Sequence, residues 1–324
     1  MASSHKIKEG MDLMAVGQKA ENSKSFFGKR TPDWDTAANS YERAATCFKI
    51  AKANEQAIDA FQKAGDAYRH LDSFALAAKQ YEGAATIAVQ NTRQYALAAQ
   101  LYRQTADFLS ANNSPDRAAE SLEKAAKALE SLDPNQCIEL YFESCAVYEN
   151  EDRIRTGAET FRRAIATCIR LQRLDKALIL SQKLAEGFAK LNNRPGFCKQ
   201  SLATIIIALA MGDEVEATKR FNSACELGGF SPSEENEAAT DMLQAFDAGD
   251  DELLSKALQR MVITFLDNDV ARLAKSLRVP GGRQPTNAYA RPGPGNGAST
   301  WGPPAASSQS HSDLQDEIEE SGFL

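Results

Sequence analysis

The stretch Ala37-Ala38-Asn39-Ser40-Tyr41-Glu42-Arg43-Ala44-Ala45 sets one large aromatic between two pairs of alanines. Offsets of three and four on either side of Tyr41 bring these five side chains to one face of an α-helix. The arrangement recurs along the chain. Tyr41, Phe61, Tyr81, Tyr102, Leu122, Tyr141, Phe161 and Ser181 follow one another in steps of 20, 20, 21, 20, 19, 20 and 20. Small or apolar pairs precede them: Ala37-Ala38, Ala57-Ile58, Ala77-Ala78, Ala98-Ala99, Ala118-Ala119, Cys137-Ile138, Gly157-Ala158 and Ala177-Leu178. Further pairs follow most of them: Ala44-Ala45, Ala64-Gly65, Ala84-Ala85, Ala125-Ala126 and Ala164-Ile165. A large residue between small ones lets neighbouring helices approach closely.

Each unit therefore reads as one helix of about 14 residues and a short turn, and two units make a hairpin of about 40 residues, near the 34-residue tetratricopeptide unit. Polar or breaking residues separate the units at Asn54-Glu55, Asp72-Ser73, Asn112 to Pro115 and Asp133-Pro134. Pro115 and Pro134 suit first helical turns, with Ser114 and Asp133 as N-caps. No β-branched alternation competes, so the fold class is all-α: a tetratricopeptide-like solenoid of helical hairpins.

The pattern fades near Asn192-Asn193 and Pro195-Gly196. Apolar stretches at Leu202–Met211, Val215–Cys225, Ala238–Phe246 and Leu253–Leu277 predict four or five more helices in a bundle that caps the solenoid. Beyond Pro280 the composition changes: six of the eleven prolines and six of the nineteen glycines fall between residues 280 and 304. That stretch is expected to be a disordered linker. The expected organisation is an N-terminal helix (1–24), a loop (25–34), the repeats (35–193), the bundle (194–279), the linker (280–312) and an acidic tail (313–324).

The 324 residues carry a net charge of −7. Asp313, Asp316, Glu317, Glu319 and Glu320 account for −5 of it, so the remaining 312 residues are nearly balanced. Block charge of this kind marks an interaction tail or a solubilising end. The longest apolar run, Ile205 to Met211, is seven residues, far short of a membrane span. With no signal-like start, the six scattered cysteines read as reduced core residues of a cytosolic protein. His5, His70 and His311 form no triad or metal pattern, and no phosphate-binding glycine loop is present. The chain reads as a non-enzyme without cofactor or metal, and no nucleic acid is expected as a partner.

Two surfaces stand out. Phe26-Phe27, flanked by Lys24, Lys29 and Arg30, suits insertion into a membrane interface, or packing into the first hairpin. Two residues past each large residue come Arg43, Lys63, Gly83, Gln104, Lys124, Glu143, Arg163 and Lys183, a mainly basic column in an acidic chain. Such a column suits an acidic partner. The repeat alone is equally compatible with a scaffold for some other helical or extended ligand.

The segments Glu9-Gly10-Met11-Asp12-Leu13, Thr31-Pro32-Asp33-Trp34-Asp35, Asn113-Ser114-Pro115-Asp116 and Tyr148 to Arg153 resemble the soluble NSF attachment proteins, as do Asp267-Asn268-Asp269-Val270-Ala271, Leu277 and Val279 to Gly282. The likeness spans about residues 7–282 and is to the gamma type; Asn22 to Phe27 is similar to the alpha type. It implies an adaptor that binds assembled SNARE proteins, a syntaxin-type four-helix bundle, and recruits the NSF hexamer to pull the bundle apart. It also implies a peripheral membrane protein of vesicle-mediated and ER–Golgi transport. By residue, the resemblance implies Phe26 and Phe27 as the membrane loop; for the SNARE-binding face the basic column offers Lys124 and Arg163, with Arg162 beside the latter, and Arg163 stands where the family has a SNARE-contacting Lys. Glu159 stands where the family has a further Lys. The NSF contact would comprise Asp316, Glu317, Glu319, Glu320, Phe323 and Leu324, with Phe323 at the family's penultimate Leu.

Overall fold

A computed structural model of the chain describes residues 2–23, 31–227 and 229–280. The loop with Phe26 and Phe27, the Pro/Gly stretch from 281 and the acidic tail lie outside the described residues. Among those described there are fifteen α-helices and no strand. They are α1 (Ala2–Glu21), α2 (Trp34–Ile50), α3 (Asn54–His70), α4 (Phe74–Gln90), α5 (Tyr95–Ala111), α6 (Pro115–Leu129), α7 (Pro134–Asn150) and α8 (Ile154–Arg170). Then come α9 (Leu174–Lys190), α10 (Arg194–Ala210), α11 (Glu214–Glu226), α12 (Glu234–Ala248), α13 (Asp251–Leu258), α14 (Met261–Thr264) and α15 (Asn268–Ser276). Helix starts keep the repeat spacing from Trp34 to Glu214, beyond the point where the sequence pattern fades. The stretch Leu253–Leu277 divides into α13, α14 and α15.

The small pairs explain the packing. Every pair quoted above is buried, and most of their alanines have no exposed surface. The large residues between them are buried as well, except Phe61, which is half-buried. Where glycine replaces alanine the fit is tighter still: a Cβ on Gly65 would lie 2.5 Å from the Tyr81 ring. The same device docks α1, since Cβ atoms on Gly10 and Gly17 would meet the rings of Phe48 at 2.7 Å and Tyr41 at 2.5 Å. Aromatics of α2 thus fill notches in α1, and the Tyr41 hydroxyl donates to Glu21 at 2.9 Å.

The turns repeat as closely as the helices. Lys52, Asp72, Asn113, Asp152, Gln172 and Asn192 hold φ between 51° and 58°, and Gly212 has φ of 74°. In each case the next amide donates to the carbonyl five residues back, from Ala53 to Phe48 (2.9 Å) through Asp213 to Ala208 (3.2 Å). This is the Schellman closure, which satisfies a carbonyl left over at the helix end. Two turns differ in length. Gln94 reaches six residues back to Ala88, and Asp133 only four, to Leu129; these are the 21- and 19-residue steps. Pro115 and Pro134 open α6 and α7 as expected. Asp133 caps α7 by accepting from the Gln136 amide, but Ser114 does not cap α6. Its hydroxyl instead sits in the preceding turn, against Asn112.

Consecutive helices pack antiparallel, and side-chain bridges join helices two apart, such as Lys124 of α6 to Glu82 of α4 and Lys183 of α9 to Glu149 of α7. The stack therefore has two layers, even-numbered and odd-numbered helices. At its far end Phe230 is fully buried, edge-on to Phe197 of α10 and Phe221 of α11. Arg194 holds the same turn by donating to the carbonyls of Gly229 and Pro232, each at 2.7 Å.

A side chain in the left-handed region costs about 1–2 kcal/mol, partly offset by the greater unfolded-state freedom of glycine. Exposed Lys52→Gly is therefore expected to stabilise the protein by roughly 0.5–1 kcal/mol, and Gly212→Lys to destabilise it. Urea midpoints at constant slope are the measurement; equal midpoints for Lys52→Gly and the parent would contradict this account of the turns.

Candidate functional site

The basic column of the sequence divides between the two layers. Arg43, Lys124 and Arg163 fall on α2, α6 and α8; Lys63 and Lys183 fall on α3 and α9. One continuous basic face is therefore replaced by two charge ladders, because successive hairpin helices turn the same register position to opposite layers.

The ladder on the even layer is built from the ninth residue of each helix. Glu42 of α2 pairs with Lys79 of α4 at 3.2 Å. Glu82 of α4 pairs with Lys124 of α6 at 2.6 Å, and Glu123 of α6 with Arg163 of α8 at 2.6 Å. Lys124 also lies over the Tyr102 ring, 5.9 Å from its centre. Lys124 and Arg163 each keep 45% of their side-chain surface exposed, so their charges still face solvent. Glu123 is the inner member, only 6% exposed, and also accepts from Lys127 (2.5 Å) and Thr160 (3.0 Å). Burial alone would raise its carboxyl; hydrogen bonds from Lys127 and Arg163 outweigh that and hold it below its usual value.

In α8 the ninth residue is Arg162, so the sign reverses. Its neighbour on α10 is again a cation, Lys199. Asp267 fills the step between them, 2.9 Å from Lys199 and 3.7 Å from Arg162. Two residues on, Asp269 meets Arg170 of α8 at 3.5 Å, and Arg170 also reaches Glu130 at 2.7 Å. The segment leading into α15 is thereby fastened to the solenoid, with Val270, Ala274 and Leu277 buried beneath it. Arg162 and Arg163, adjacent in sequence, share Glu159 of their own helix at 3.2 and 3.4 Å but reach different partners beyond α8, Arg162 Asp267 and Arg163 Glu123 of α6. Sequence reading missed the roles of Lys199, Arg170 and Asp267; the ninth-position charges Glu42, Glu82, Glu123 and Arg162 were the available signal.

Five cysteines are buried and Cys225 is half-buried; none is paired. Among the described residues no cluster of His, Cys, Asp or Glu suits a metal, and no helix is long and apolar enough to cross a membrane.

Stacked helical hairpins with charged ladders across both layers define a helical-repeat binding protein. The family model described as "Soluble NSF attachment protein, SNAP" matches residues 8–261, and the chain belongs to that family. It is 32% identical to a gamma-soluble NSF attachment protein of Dictyostelium discoideum over 85% of this chain and 84% of that one. It is 29% identical to the gamma-soluble NSF attachment protein of Arabidopsis thaliana over 76% of this chain and 84% of that one. An alpha-soluble NSF attachment protein of Vitis vinifera is 26% identical over 72% of this chain and 81% of that one. The likeness is thus to the gamma type.

Because the Glu123 carboxyl is held below its ordinary value of 4.5, it stabilises the fold above that pH, and its contribution fades as pH falls through the folded value. Glu123→Gln is expected to cost about 1–2 kcal/mol at neutral pH. The difference from the parent should shrink below pH 4. Paired denaturant titrations at pH 7 and pH 3.5 measure it; a pH-independent difference would contradict the ion-pair account.

Proposed function

We propose that the chain is an adaptor, not an enzyme, that binds assembled SNARE bundles and brings the NSF ATPase to them for disassembly in vesicle transport, the ER–Golgi steps included. The observation that carries this reading is the family match over residues 8–261, together with gamma-type relatives that the chain covers along most of their length. The even-layer ladder supplies a physical basis for SNARE contact. Lys124 and Arg163 stand on one layer, two helices apart, half-exposed, each anchored at its base by a glutamate. Anchoring removes rotamer freedom before a partner arrives, so less ordering entropy opposes binding. An acidic rod laid along that layer would be steered by the summed field.

Phe26 and Phe27 are proposed as the membrane contact, which makes the protein peripheral on vesicle and Golgi membranes. Asp316, Glu317, Glu319, Glu320, Phe323 and Leu324 are proposed as the NSF contact, following the Pro/Gly-rich segment in the sequence. Several copies around one hexamer would gain from effective concentration.

The reading is tested by NSF-driven disassembly of a soluble, fluorescently labelled SNARE bundle with this protein as the sole adaptor; no stimulation over NSF alone would refute it. Within that assay, Lys124→Glu with Arg163→Glu is expected to weaken bundle binding and flatten its salt dependence. Exposed pairs contribute about 0–1 kcal/mol each, so the double change should be several-fold. Phe26→Ser with Phe27→Ser should impair action on liposome-anchored bundles only, and removal of residues 313–324 should abolish NSF stimulation while SNARE binding persists. Loss of activity on soluble bundles by the phenylalanine variant would place those rings in the fold instead.

A further inference from the structure

We infer that Arg162 and Lys199 form an anion socket on the even layer, occupied by the chain's own Asp267, and that an acidic helical partner competes for it. The ladder gives the reason. At each earlier step an acid of one even helix meets a base of the next: Glu42 with Lys79, Glu82 with Lys124, Glu123 with Arg163. Arg162 takes the acid's place in α8, and its counterpart Lys199 holds the same sixth position in α10 as Lys79 in α4. Arg162 also holds Glu159 of its own helix at 3.2 Å, but among the described residues Asp267 is the carboxylate that bridges it to Lys199, and two cations on adjacent even helices attract a carboxylate of suitable reach.

Asp267 does not behave as a purely structural residue. It stands at the N-cap of α15, yet its side chain makes no capping hydrogen bond and is spent on Lys199 and Arg162 instead. One third of that side chain is exposed, as are 35% of Arg162 and 37% of Lys199, so an incoming carboxylate reaches the socket directly. Exposed pairs of this kind are weak and exchange readily. Arg163, already proposed as a partner contact, is the next residue along α8. A partner acid entering the socket would displace Asp267 and loosen the start of α15, whose other ionic tie is Asp269 to Arg170 at 3.5 Å. The partner's role rests on the adaptor reading above; the socket itself does not.

The test uses the full chain and two probes, poly-L-glutamate and the assembled soluble SNARE bundle, at low salt. Asp267→Asn removes the charge of the internal competitor and keeps a side chain of nearly the same size. It should tighten poly-L-glutamate binding about two- to fivefold, the equivalent of one exposed pair. Arg162→Gln should weaken that binding and cancel the gain when combined with Asp267→Asn. In the parent, saturating poly-L-glutamate should speed hydrogen exchange of the amides at 270–276. If Asp267→Asn binds the polymer no more tightly, or α15 exchanges at the same rate with and without it, the socket is refuted. Arg162→Gln guards against a folding artefact at the start of α15, since it attacks the site from α8 and leaves Asp267 and its bond to Lys199 in place. Polymer results as expected with no bundle binding would defeat the adaptor reading alone; bundle binding with a flat polymer and exchange response would defeat the socket alone.

Discussion

Close approach of consecutive helices is the constraint on which everything else here depends. Alanine pairs with no exposed surface flank one large side chain in helix after helix, so that backbones meet where side chains are absent and rings lock where they are present. Interiors tolerate little change in volume, so a methyl added at Gly65 or Gly17 has nowhere to go. The short distance between neighbours also sets the distance between helices two apart. Only because that distance is short and regular can Glu82 reach Lys124, and Glu123 reach Arg163. Surface electrostatics in this protein follow from core geometry.

The ladders carry two kinds of information. Most steps are acid against base and serve the stack. The step between α8 and α10 is base against base and is completed from far along the chain, by the segment that enters α15. A repeat can thus specify where a non-repeating segment docks by breaking its own rule once. The buried Glu123, with three donors around it, is the firm point of the series, and the partly exposed Asp267 is the yielding one.

Much of the fold was legible because period 20 is carried by residues whose burial is obligatory. Tyr41, Tyr141 and Phe161 are nearly inaccessible to solvent, and a helix has few ways to satisfy so many of them at once. The terminal region was less legible because its packing rests on single residues. Phe230 sits in the short turn between α11 and α12 and gives no periodic signal, yet it fastens that turn to rings of α10 and α11. The continuing spacing of α10 and α11 was hidden since α10 is apolar on nearly every side, which erases the contrast between faces. At the site, Lys124, Arg162 and Arg163 were singled out from sequence, but their separate partners on other elements were not. Layer alternation and the ionic partners at distances of 34 to 42 residues are properties of the stack, not of any one segment.

Fastening α15 to α8 and α10 also makes the two ends of the stack mechanically unlike. A pile in which each hairpin touches only its neighbours unravels from whichever terminus is pulled, one hairpin at a time. At the amino end, among the described residues, α1 rests chiefly on α2. At the carboxyl end, the ties of Arg162 and Arg170 to the α15 segment enclose about a hundred residues in one closed circuit. A pull at Val279 would therefore load α15, α10 and α8 together, whereas a pull on α1 would load its seam with α2.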